Sequence, residues 1–238
     1  MDKREEEIAE LLEFLCQRSE GFTKPRMILL GGYALRAYTE YSRYTRDCDF
    51  VMQRETGWNI NKIKNWLGNK INLENFETRE TYGFARFVKT LRIGKKRAKI
   101  ALDFMEGEVR GRANKDIVAI DEKFIEDSER VEIQVGTREI KFFVPAYRDY
   151  FILKVVSARP SDVRDIAALV LKSGVPDCID KRIKEILPYP DIFTKNIHDV
   201  IISQVSHKRF VDSWRGTFVT SEFDEERKHR VLRELRIL

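Results

Sequence analysis

Gly31-Gly32-Tyr33-Ala34, then eight residues, then Arg43-Tyr44-Thr45-Arg46-Asp47-Cys48-Asp49: the reading of this stretch decides the fold of the 238-residue chain. The apolar run Met27-Ile28-Leu29-Leu30 stops at the glycine pair, and Tyr33 to Tyr38 returns to helix-compatible residues. Strand, glycine turn and helix are expected. Such a turn lets a phosphate approach the backbone, where helix N-terminal N–H groups and the helix dipole favour negative charge. Asp47-Cys48-Asp49-Phe50-Val51-Met52 alternates at its start and ends apolar, which predicts a strand with Asp47 and Asp49 on one face and Cys48 on the other. Two carboxylates pointing the same way suit a hard cation bound through oxygen, and a nucleoside triphosphate would bring the remaining ligands. A polar strand edge is the plain alternative, but it leaves unexplained why two acids lead into so apolar a strand.

Working outward, Ile8, Leu11, Leu12 and Leu15 fall at helical spacing with Glu5, Glu6, Glu7, Glu10 and Glu13 largely opposite, so residues 3–19 read as an amphipathic helix. Residues 59–67 look helical. Two β-rich runs between 78 and 105 flank Gly94-Lys95-Lys96-Arg97 as a hairpin, and the second carries Ala101-Leu102-Asp103-Phe104. A further strand pair is expected at 130–135 and 139–144 around Gly136-Thr137. Beyond Pro145 the segments 150–156, 163–171, 192–205 and 222 onward suit helices, the last with Ser221 and Asp224 as a capping box. The fold class is therefore α/β (α+β), a mixed-sheet domain over 1–145 followed by a helical domain over 146–238.

Composition narrows the setting. At 42 % hydrophobic residues the chain can bury a sizeable core. Basic and acidic residues number 44 and 39, a net +5 that leans slightly toward a polyanionic partner and equally suits a stable two-signed surface. Cys16, Cys48 and Cys178 are odd in number and far apart, which argues against a disulfide framework and for a reducing, cytoplasmic compartment. No signal peptide is visible, and no apolar run approaches the roughly 20 residues that span a bilayer. His198, His207 and His229 lack zinc-ligand spacing, so they are expected at the surface or in the core. Trp58, Trp66 and Trp214 are expected as core or interface anchors.

The glycine pair, the helix and Arg43-x-Thr45-x-Asp47-x-Asp49, with Asp103 on a later strand, resemble the nucleotidyltransferase superfamily, the DNA polymerase beta-like fold. The likeness covers roughly residues 25–105 and is close to the small prokaryotic branch of minimal nucleotidyltransferases and AbiEii-type toxins. It implies Mg²⁺-dependent transfer of a nucleoside monophosphate from an NTP, with two metal ions held by Asp47, Asp49 and Asp103. Gly31, Gly32 and Tyr33 would meet the nucleotide. Tyr33 stands where many members have Ser or Thr, so the phosphate contact would fall to backbone N–H groups or to Lys154. A weaker similarity joins Lys154, Ala158-Arg159 and Arg164-Asp165 to the AbiEii-type pattern, implying that Lys154 faces the triphosphate and Asp165 helps complete the site.

Plain readings stand beside these. Lys154 could snorkel to solvent, Asp165 could be a first-turn helix acid, and Arg43 and Thr45 could order the start of their strand. Lys95-Lys96-Arg97 reads as a solvated turn or as a contact for RNA phosphates. The acceptor implied is a hydroxyl, on an RNA 3′ end such as that of tRNA, on a protein or on a small molecule, and a toxin would pair with an antitoxin protein. The alternative is a non-catalytic nucleotide- or RNA-binding regulatory protein of the same fold.

Overall fold

A computed structural model describes residues 3–54, 59–68, 70, 73–111 and 113–238, which form two compact units. The first comprises 1–37, 45–109 and 120–145, and the second 38–44, 110–119 and 146–238. The chain thus passes between them at several points as well as near Pro145. Trp58 lies outside the described residues.

Helix α1 (Lys3–Arg18) is followed by β1 (Ile28–Leu29), α2 (Gly31–Ala34), β2 (Asp47–Met52), α3 (Asn59–Leu67), β3 (Leu73–Arg79), β4 (Phe84–Ile93) and β5 (Lys96–Glu106). Short β6 (Glu108–Arg110) and β7 (Ile117–Ala119) form a separate ribbon, and α4 (Glu122–Glu126), β8 (Glu129–Val135) and β9 (Arg138–Val144) follow. Seven strands make one mixed sheet in the order β3-β4-β5-β2-β1-β9-β8. Strands β2 and β5 run parallel, as do β1 and β9, while β3-β4, β4-β5, β1-β2 and β8-β9 are antiparallel. The family-level expectation of a mixed α/β nucleotidyltransferase-type fold holds.

Strand alternation gives β2 and β5 two unlike faces. On one, Phe50 and Phe104 stack with centroids 5.6 Å apart and Phe22 lies 5.7 Å from Phe50, a column closed by Phe142 and Phe87. Aromatic stacking adds to the burial of these rings, and Cys48, on the same face, is fully buried with its thiol pushed well above its ordinary pKa by desolvation. Helix α1 buries Ile8, Leu11, Leu12 and Leu15 and packs against β5, β8 and β9. Its glutamates do more than solvate an outer face: Glu5 takes Arg36 at 2.5 Å, Glu7 pairs with Lys89 and Glu13 with Arg138.

The second unit is helical: α5 (Tyr147–Ser157), α6 (Pro160–Ser173), α7 (Ile179–Ile186), α8 (Asp191–Lys195), α9 (Ser203–Ser206), α10 (Phe210–Phe218) and α11 (Glu225–Leu235). Helices α7 and α10 add to the expected set, and a π-helical stretch, Asn196–Ile202, joins α8 to α9. Asn196 there donates to the Val155 and Val156 carbonyls at 3.0 Å each, satisfying the end of α5. Helix α11 is capped by Asp224, whose side chain accepts from the Arg227 N–H at 2.9 Å, so Ser221 is not the cap. Trp214 is fully buried against Phe223 at 4.5 Å, and Trp66 is half-buried on α3.

Candidate active site

The antiparallel β1-β2 pair and the parallel β2-β5 pair set the site. Asp47 and Asp49 alternate on one face of β2, and Asp49 lies directly beside Asp103 in the ladder, with Asp47 beside Ala101. The three carboxylates therefore share one face of two neighbouring strands. Their exposure is graded: Asp47 is exposed, Asp49 half-buried and Asp103 buried. Asp103 sits inside β5, three residues before its end, and is not a strand-terminal acid leading into a loop.

Two further residues shape this face. Strand β4 puts Arg86 opposite Asp103, and the guanidinium grips the carboxylate with both prongs, Nε to Oδ1 at 2.7 Å and Nη2 to Oδ2 at 2.5 Å. The Asp103 carboxylate holds Arg86 well above the ordinary guanidinium pKa. Each oxygen keeps a second lone pair, so the pairing fixes the carboxylate without exhausting it. Arg86 was missed in the sequence, although counting back from the Gly94-Lys95 turn of the hairpin sets it across from Asp103. The second residue is Gly31, at φ +66°, whose α-carbon faces the Asp49 carboxylate. A β-carbon there would fall 2.1 Å from Asp49 Oδ2, so the glycine is the space in which this carboxylate lies.

The turn itself differs from expectation. The helix begins at Gly31 and runs a single turn, Gly31–Ala34, before a 3₁₀ turn over Leu35–Ala37. So short a helix sums few peptide dipoles, and what it can offer a phosphate is close backbone approach at Gly31 and Gly32. Tyr33 is buried at 1 % exposure with the Arg36 guanidinium 4.8 Å from its ring centroid, so its side chain is a core group.

Lys154 and Asp165 belong to the second unit, where they form a buried charge network. Lys154 does not snorkel: at 5 % exposure its ammonium donates to Asp162 at 2.9 Å and Asp165 at 2.7 Å. Asp165 also takes both prongs of Arg43, at 2.7 and 2.9 Å. Two cations and two anions balance. Burial alone would lower the Lys154 pKa, but Asp165, Tyr150 and Asp162 hold it well above its ordinary value. Burial likewise opposes ionisation of Asp162, and Lys154 outweighs it, keeping that carboxyl below its ordinary value. Because α6 starts at Pro160, Asp165 lies in its second turn and is no first-turn acid; Asp162, unremarked in the sequence, occupies that role and accepts from the Arg159 N–H at 3.3 Å. His198, His207 and His229 are all exposed.

Hard carboxylate oxygens on one strand face, one of them in a glycine-made recess, suit a hard divalent cation in donor type. Among the described residues no three His, Cys, Asp or Glu side chains are gathered closely enough to hold a metal ion. No helix among the described residues is long and apolar enough to cross a membrane.

The mixed sheet is of the nucleotidyltransferase type. The family described as nucleotidyltransferases of unknown function (DUF6036) matches residues 6–187, well over half of the sequence, and the chain belongs to it. Two Helicobacter pylori crystal structures share the fold: JHP933, at TM-score 0.53 and 14 % identity, covering 100 % of this chain and 92 % of that one, and a nucleotidyltransferase candidate, at TM-score 0.53 and 13 % identity, covering 100 % and 95 %. A search of curated proteins found no match.

Proposed function

We propose that this chain is a Mg²⁺-dependent enzyme that transfers a nucleoside monophosphate from a nucleoside triphosphate to a hydroxyl, on an RNA 3′ end such as that of tRNA, on a protein or on a small molecule. The observation that carries this reading is the register pair Asp49–Asp103 on parallel strands, with Asp47 two residues along the same face. Asp47, Asp49 and Asp103 would hold two Mg²⁺ ions, which when bound would neutralise triphosphate charge and lower the pKa of the attacking hydroxyl. The residues of the chain act by position. Arg86 aims Asp103, Gly31 makes room for Asp49, and the Gly31-Gly32-Tyr33 backbone receives the triphosphate. Transfer of this type rests on positioning and electrostatic stabilisation, so a side-chain nucleophile is not required.

Lys154 and Asp165 are given a supporting role toward the nucleotide, the ammonium keeping one N–H beyond the two carboxylates it serves. Three free cysteines suit a reducing cytoplasmic setting. An AbiEii-like toxin held by an antitoxin protein is the biological form this chemistry would take.

Thermal unfolding of the whole chain with ATP, CTP, GTP or UTP, with and without Mg²⁺, tests the reading. At least one nucleotide should raise the midpoint only when Mg²⁺ is present, and the rise should vanish in Asp47→Asn/Asp49→Asn. The grip of Arg86 on both Asp103 oxygens favours a second reading, a non-catalytic nucleotide- or RNA-binding regulator. Nucleotide protection indifferent to Mg²⁺ and to the two substitutions would select it.

A further inference from the structure

A cleft of about 380 Å³ in the second unit has a charge that the fold alone does not call for. Its polar lining is Arg164 of α6, Ser203 and Gln204 of α9, His207 and Arg209 of the following link, and Ser213 of α10. No acid stands among the lining residues. The acids nearest Arg164 in sequence, Asp162 and Asp165, are turned onto Lys154 and Arg43. Pro160 and Phe210, the first residues of α6 and α10, also line the cleft, so the positive ends of a 14-residue and a 9-residue helix border it.

Arg164 supplies an independent observation. Its Nη1 donates to Ser213 Oγ at 3.1 Å, while its Nε is buried with no hydrogen-bond partner among the described residues. A buried donor left unmatched is costly, and a ligand acceptor would relieve it. Burial holds the guanidinium below its ordinary pKa, an effect that Asp165 opposes and Arg43 adds to. At His207 the Nδ1 accepts from the Arg209 N–H at 3.2 Å, so the neutral ring carries its proton on Nε2 as a donor.

We propose that this cleft binds the phosphate of a small phosphomonoester of mononucleotide size, through Arg164, Arg209 and His207 Nε2–H, with the Ser203 and Ser213 hydroxyls as further donors. The volume falls in the range of small-ligand pockets and exceeds what a bare phosphate fills. The site uses none of the carboxylates of β2 and β5, so its binding stands or falls independently of nucleotidyl transfer.

Calorimetric titration of the full chain in EDTA, with AMP, inorganic phosphate and adenosine as probes, tests it. AMP should bind the wild type and Asp47→Asn/Asp49→Asn within twofold of each other, inorganic phosphate more weakly, and adenosine not at all. Arg164→Gln and Arg209→Gln should each weaken AMP by about tenfold or more, the worth of one charge-assisted hydrogen bond. Arg209 is exposed, so its replacement leaves the fold intact even if that of Arg164 does not. No AMP binding by the wild type, unchanged affinity in Arg209→Gln, loss of binding in the carboxylate variant, or inorganic phosphate binding as tightly as AMP would each overturn the assignment.

Discussion

At Gly31 the backbone turns through φ +66° with the Asp49 carboxylate against its α-carbon. Gly31→Ala meets both constraints together. The left-handed conformation costs an L-residue about 1–2 kcal/mol, and the carboxylate must move to admit the methyl group. Displacing a reacting group by about an ångström lowers turnover by roughly 100-fold, which steady-state kinetics on the folded variant should read. Gly216→Ala is the control: a β-carbon there meets nothing within 4 Å, and on helix α10 the change should stabilise by about 1 kcal/mol in urea unfolding. Arg86 carries the second prediction at this scale. Arg86→Gln leaves Asp103, 5 % exposed, without its charged partner, and should destabilise by about 1–3 kcal/mol. Activity should fall with it, and Arg86→Lys, which keeps charge but loses the two-pronged fit, should lie between. Activity that rises in Arg86→Gln would mean that the arginine locks Asp103 away from metal.

Among the elements, the corner between α5 and α6 is held by charge. Lys154→Met strands Asp162 and Asp165, both almost fully buried, with Arg43 as the remaining cation of the network, and should cost about 3–5 kcal/mol in denaturant unfolding. Asp162→Asn added to it should recover part of the loss. The signs of the pKa shifts set the pH window. Asp162 is depressed, so its contribution is present above the ordinary carboxyl value of 3.8 and is lost as pH falls through its lower folded value. Lys154 is raised, so its contribution is present below 10.5 and is lost only as pH rises through its higher folded value. Unfolding followed by circular dichroism should show this plateau in the wild type and lose its acid edge in the double variant.

What the sequence revealed of these elements follows from range. Asp47 and Asp49 share a face because side chains alternate every second residue, a local rule that needs no tertiary knowledge. The apolar stripe of α1 was legible for the same reason. Arg86 opposite Asp103 depended on hairpin register, which a turn at Gly94-Lys95 defines only once both strands are known to pair. Arg43 on Asp165 spans 122 residues, and no local pattern encodes such a contact. The helix after the glycine pair was overread because residues compatible with helix are not residues that must continue one.

Over the whole molecule, chemistry is divided between the two units: carboxylates, Arg86 and the glycine turn in the first, the Lys154 network and the basic cleft in the second. Net charge of +5 on a nearly balanced surface selects no acceptor class, and the family as described leaves the substrate open. Only the intact chain can therefore report the reaction. The most direct measurement supplies α-labelled ATP, CTP, GTP and UTP with Mg²⁺ to the wild type and to Asp49→Asn, with total RNA and total protein as acceptors. Label should pass from at least one nucleotide to one acceptor class with the wild type, and fall by 100-fold or more, about 2.7 kcal/mol in the barrier, with Asp49→Asn. Absence of transfer from every nucleotide by folded wild type, or equal transfer by the variant, would contradict the assignment of catalysis to this carboxylate face.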